Sequence, residues 1–147
     1  DLKNILLKET PWITEAVDET EQKRRIALLF DLNTMRSRQQ AAVQKLASLQ
    51  NANGVWSWYK GMPGSRYVTT QIVEEFARLK VMGVTLDGTM AASYAKAVKY
   101  LASCAKKDYE EMKRVEKKTG HAVNILNEQT IHYLYICSLD KVAMIQY

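Results

Sequence analysis

Strict apolar–polar alternation, the mark of a half-buried strand, is sustained nowhere in this 147-residue chain long enough to build a sheet. Apolar side chains recur instead at offsets of three and four, so the segments must bury helical stripes against one another, and the fold class is all-α. Glycine (6) and proline (2) are scarce, which excludes a linker-rich chain and argues against a loop-dense β-sandwich. The length and a 47% hydrophobic content suit a single helical domain over 1–147. No window approaches 18 uninterrupted apolar residues, and the opening Asp1-Leu2-Lys3-Asn4 has neither a basic lead nor an apolar stretch, so no span or signal peptide is read. A start without Met reads as a piece excised from a longer protein.

Capping chemistry divides the chain into about six helices. Leu2, Ile5 and Leu6 share a helical face that stops at Thr10-Pro11, because proline pushes its predecessor out of the α region. Asp18-Glu19-Thr20-Glu21 reads as a capping box opening onto the core run Ile26-Ala27-Leu28-Leu29-Phe30. A turn is expected at Asp31-Leu32-Asn33, followed by a helix carrying Met35, Ala42, Leu46 and Leu49. Ser65 caps a helix striped by Val68, Ile72, Phe76 and Leu79, with Gly83 as its stop. Asp87 caps a long helix through Met90, Tyr94, Val98 and Leu101 that ends at Gly120, and Asn127 begins the last, with Ile131, Leu134, Tyr135, Val142 and Ile145 apolar.

The +5 net charge permits contact with an anionic partner, but its distribution argues against nucleic acid. Basic clusters at Lys23-Arg24-Arg25, Lys106-Lys107 and Lys117-Lys118 are interleaved with carboxylates, and Glu19–Lys23, Glu21–Arg25 and Glu110–Arg114 sit at ion-pairing distance along a helix. Neither glycine-rich phosphate cradle is present, so nucleotide hydrolysis is disfavoured. His121 has no Cys or carboxylate at metal-sharing helical spacing and His132 has only Glu128, four residues before it, with no third ligand, so no metal or cofactor is expected. Glu74-Glu75 and Glu110-Glu111 are adjacent, so on a helix they diverge by about 100° and cannot converge on one glycosidic oxygen. Cys104 and Cys137 lack C-x-x-C spacing, which excludes a zinc ribbon or a disulfide scaffold.

The aromatic segment from Gly54 to Gly64 is the most informative. Gln50, Gly54 and Trp56 fit Gln-x-x-x-Gly-x-Trp, a spacing that recurs in helical-hairpin toroids. Gly54 after a helix end can take a positive φ, the Gln50 amide can bond orphan backbone groups at a helix terminus, and indole can close the gap between hairpins. Trp58, two residues on, is expected to point to the same side as Trp56. These four residues are read as structural, at a hairpin junction, in preference to a sugar-binding platform.

The segments Leu-Leu-Lys-Glu-Thr-Pro-Trp (6–12), Asp-Glu-Thr-Glu-Gln-Lys-Arg-Arg-Ile-Ala-Leu-Leu-Phe-Asp-Leu-Asn (18–33), Leu-Gln-Asn-Ala-Asn-Gly-Val-Trp-Ser-Trp (49–58), Ser-Arg-Tyr-Val-Thr-Thr-Gln-Ile-Val (65–73) and Ile-His-Tyr-Leu-Tyr (131–135) closely resemble bacterial alpha-2-macroglobulin-like proteins, especially those of Bacteroides-type bacteria. The resemblance lies in their thioester-domain region. It implies part of an α/α toroid of the terpenoid cyclase/protein prenyltransferase type, within a large secreted, periplasmic or cell-surface endopeptidase inhibitor. In such a protein a bait segment is cut, the molecule rearranges, and a Cys-Gln thioester acylates the attacking protease. The partners implied are target proteases, met through the full-length parent, and the parent's remaining domains.

That thioester needs Cys-x-x-Gln, whereas this chain has Cys104-Ala-Lys-Lys and Cys137-Ser-Leu-Asp, so the reactive motif is not among these residues. The resemblance makes His132 a thioester-proximal candidate, since in complement-type relatives a toroid histidine takes the acyl group. The chain itself is expected not to be an enzyme. The alternatives are a fragment of an α/α-toroid lyase, hydrolase or cyclase, and a basic helical binding module. A partial toroid should also leave apolar faces open at Leu2, Ile5, Leu6, Val142, Met144 and Ile145, and so self-associate as a fragment.

Overall fold

A computed structural model describes residues 18–124 and 127–141. They form four α-helices and no strand: α1 (Glu19–Leu49), α2 (Arg66–Val81), α3 (Gly88–Thr119) and α4 (Glu128–Leu139). The expected leading helix with Leu2, Ile5 and Leu6, and the positions Val142, Met144 and Ile145, lie outside the described residues. The chain divides into two units within α1, the boundary falling between Ala42 and Val43.

α1 is one helix across the expected turn at Asp31-Leu32-Asn33. Asp and Asn cost only about 0.7 kcal/mol each against Ala in a helix interior, and no Gly or Pro interrupts residues 18–49 to stop it. The run Ile26-Ala27-Leu28-Leu29-Phe30 is not a core stripe either: no residue of α1 is buried, and Leu28 and Phe30 are about half exposed. Five consecutive apolar residues at 100° apiece go round the helix instead of lining one side. Glu21 carries Arg24 and Arg25 on one carboxylate, and Lys23 pairs with Glu19. Arg114 pairs with Glu111 one turn back, while Glu110 faces Lys106.

From Val43 onward, Trp56, Val73, Phe76, Ala77, Met90, Tyr94, Ala97, Leu101, Tyr133, Ile136 and Cys137 make one core, with Val43 and Leu46 of α1 packed against it. α2 contacts both α3 and α4. Each buried side chain the size of Leu101 or Ile136 is worth about 1.5–3 kcal/mol. The helix starts follow their caps: Ser65 Oγ accepts from Val68 N, Asp87 Oδ1 from Met90 N and Asn127 Oδ1 from Thr130 N, each worth about 1 kcal/mol. Gly120, at φ 72°, closes α3 in the left-handed region.

The face that α4 buries is not the expected one. Ile131, Leu134 and Tyr135 are exposed, whereas Tyr133, Ile136, Cys137 and the capping residue Asp140 are buried at offsets of 0, 3, 4 and 7. This short helix is apolar on most sides, so periodicity alone selects no face, and contacts with α2 and α3 decide it.

Candidate functional site

The loop after α1 gathers three of the four aromatic-loop residues into one junction. Gln50 Nε2 donates to the Gly54 carbonyl and to the Ser93 carbonyl of α3, both at 2.9 Å, so one amide ties loop to helix. The acceptors are a loop carbonyl and a carbonyl in the second turn of α3, not the helix-terminal groups expected. Gly54 has φ 89°, and a Cβ there would lie 2.3 Å from the Lys96 carbonyl oxygen, so glycine is required both by conformation and by the approach of α3.

Trp56 is 1% exposed. Its Nε1 donates to the Leu46 carbonyl, its backbone N to Thr69 Oγ1, and its carbonyl accepts from Ser65 N. Leu46 is in the last turn of α1, whose carbonyls have no helical partner, so the indole satisfies one of them. The ring lies 6.5 Å from Phe76, which meets Tyr94 edge-on at 6.0 Å. Trp58 does not share this side: it is 62% exposed and stacks on Tyr67 at 6.1 Å. The backbone leaves the extended path from Trp58 on, where Ser57 Oγ and Met62 N both donate to the Tyr59 carbonyl, so the two-residue period does not carry Trp58 into the junction.

His132 projects from α4 onto α2, where its Nε2 hydrogen-bonds Glu74 Oε2. Arg78 donates to the other carboxylate oxygen, Oε1, from Nε at 2.9 Å and from Nη2. Glu74 is buried and Glu75 exposed, so the adjacent carboxylates do diverge. The His132 imidazole first, and the Arg78 guanidinium second, hold the Glu74 carboxyl below its ordinary value of 4.5. A depressed folded-state value contributes stability that is complete above the unfolded value and is lost as pH falls through the folded one. The urea midpoint of the wild-type protein should therefore drop as pH is lowered from about 6 to about 3, and Glu74→Gln should flatten part of that drop. Parallel pH profiles in wild type and variant would count against the assignment.

Two further polar clusters tie the helices. Asp140, at the end of α4, accepts from Lys80 Nζ of α2 at 2.5 Å and from the Tyr94 hydroxyl of α3 at 2.6 Å. Burial, then the bond to Asp140, raises the Tyr94 phenol's pKa. Asp108 of α3 accepts from Arg66 Nη1 at 2.7 Å and from Thr130 Oγ1 at 3.1 Å. His121 is exposed beyond Gly120 and does not join His132. Cys104 and Cys137 are free thiols, Cys137 buried with its pKa raised mainly by desolvation. Among the described residues no group of three His, Cys, Asp or Glu side chains could hold a metal, and no helix is long and apolar enough to cross a membrane.

Sequence reasoning missed Glu74, Arg78, Thr69 and Ser93 as partners in these clusters. His132 and Glu74 are 58 residues apart and Gln50 and Ser93 are 43 apart, so no local spacing could announce either pair. Compared with known proteins, the chain matches no protein family, no curated protein and no solved structure.

Proposed function

We propose that this chain is a helical part of the toroid domain that carries the thioester in a bacterial alpha-2-macroglobulin-like endopeptidase inhibitor, secreted, periplasmic or on the cell surface. The observation that carries the reading is the Gln50–Gly54–Trp56 junction. The residues most like that family between 49 and 58 are the ones that fasten the end of α1 to α2 and α3 through backbone carbonyls and a buried indole. Such stapling suits a scaffold that holds and shields a reactive bond supplied elsewhere in a larger protein.

The chain contributes no thioester of its own. Neither cysteine is followed by glutamine at the third position, and the Cys137 thiol is buried. His132, the candidate near the thioester, has Nε2 engaged by Glu74, which fixes the ring and leaves Nδ1 as the nitrogen able to act on an acyl group. The enzyme alternative has less support, because Glu74 is committed to Arg78 and His132 while Glu75 faces away.

The test uses the intact protein captured from its source cells with an antibody to this chain. After addition of an endopeptidase, cleavage of a large protein substrate should fall about tenfold while cleavage of a small peptide persists, the behaviour of a caged but active protease. Unchanged cleavage of the large substrate, or equal loss on both, would overturn the proposal.

A further inference from the structure

α3 contains no acidic residue from Gly88 to Lys107; the first is Asp108. Elsewhere on the helix Lys106 faces Glu110, Lys113 pairs with Glu116 and Arg114 with Glu111, while Lys117 and Lys118 sit in the acid-containing last turns without an ion pair among the described residues. Lys96, Lys99 and Lys107 belong to no ion pair among the described residues. At about 100° per residue, Lys96, Lys99, Ser103 and Lys107 fall within an arc of roughly 80°, on one side of the helix. Together with Ala52 and Asn53 they line a cavity of about 480 Å³, a size that suits a small-molecule ligand.

The wall opposite the lysines is held in place. Gln50 bonds Ser93, and Gly54 lets the loop backbone approach the Lys96 carbonyl more closely than any side chain would permit. The Asn53 side-chain carbonyl accepts from Val55 N at 3.4 Å, which leaves its amide NH2 available as a donor at the cavity lining. The cavity thus offers three ammonium groups and an amide donor, with no carboxylate among its lining residues. Lysine binds phosphate as a point charge, and charge-assisted bonds are the strong ones. Lys96 and Lys107 are separated by about 16 Å of helix rise, too far for one tetrahedral anion to satisfy all three lysines.

We infer that this cavity, between the loop at Ala52-Asn53 and the Lys96/Lys99/Lys107 face of α3, binds a sugar carrying two or more phosphate groups, either free or as a lipid headgroup. The inference is independent of the inhibitor reading and survives its failure.

The test is calorimetric titration of the purified chain with fructose 1,6-bisphosphate and with inorganic phosphate, alongside co-sedimentation with phosphatidylcholine vesicles with and without phosphatidylinositol 4,5-bisphosphate. The bisphosphate, free or in vesicles, should bind at least about tenfold more tightly than inorganic phosphate. Binding only in vesicles assigns the lipid source, and binding of the free sugar the soluble one. Lys99→Ala and Lys107→Ala should each weaken binding by about fivefold or more, whereas Lys117→Ala/Lys118→Ala, equally basic but outside the cavity, should not. Ala52→Trp keeps every charge while filling the space, and should abolish binding with the thermal midpoint unchanged. Absence of binding in both arms, equal loss in the Lys117/Lys118 variant, or full binding by Ala52→Trp would overturn the inference.

Discussion

Trp56→Ala should lower the stability of the chain by about 3–5 kcal/mol, the range for removing a large buried aromatic side chain. The indole is enclosed by the end of α1, by Phe76 of α2 and by the core that continues to Tyr94, so its loss leaves a cavity that rigid helices cannot collapse to fill. The Leu46 carbonyl also loses its donor, an added cost because it sits where the helix itself supplies none. Trp58→Ala makes the internal control. That ring is mostly in water and stacks only on Tyr67, so its removal should cost about 0.5 kcal/mol or less. Urea denaturation followed by far-ultraviolet circular dichroism measures both, and equal losses would show that the junction does not depend on Trp56.

Gly54→Ala should be the more severe of the glycine substitutions that test the same junction. Two costs coincide. A side chain at positive φ costs about 1–2 kcal/mol, and the new Cβ would overlap backbone atoms of Lys96, which cannot rotate aside as a side-chain end can. Overpacking of that kind adds about 1–3 kcal/mol. Gly61 has nearly the same φ, 85°, but nothing within 4 Å of its would-be Cβ, so Gly61→Ala should carry the conformational cost alone, about 1–2 kcal/mol. A thermal midpoint that falls equally in the two variants would mean that the loop yields at Gly54, and that the close approach to α3 is not needed.

The caps were legible because capping is local. Ser65, Asp87, Asn127 and Gly120 act on groups within a few residues, and their types alone mark the helix ends. The residues of the Gln-x-x-x-Gly-x-Trp spacing were legible as a junction for a similar reason, although the Ser93 partner was not. What failed was inference from composition without a partner in view. Asp31 and Asn33 favour helix starts only when a start is needed, and the apolar residues of α1 and α4 could not say which side would be covered. The unpaired lysines leave a trace in the sequence, twenty residues of α3 without an acid, obscured because the mixed-charge stretch from Asp108 to Lys118 follows directly.

The polar bonds that His132 and Asp140 make are remote in sequence, far longer in span than the 22 residues between Thr130 and Asp108. His132 to Glu74 spans 58 residues, Asp140 to Lys80 spans 60 and Asp140 to Tyr94 spans 46, whereas α2 and α3 are joined by a short turn. Closing a long loop carries an entropic cost before any contact can offset it, so in time the α2–α3 hairpin should come first and α4 should dock last. Substitutions at His132 and Asp140 would then act on how fast the protein unfolds and leave its folding rate nearly untouched, giving φ-values near zero at both positions. The ion pairs of α4 would on this account be the closing step of assembly, governing how long the finished core persists.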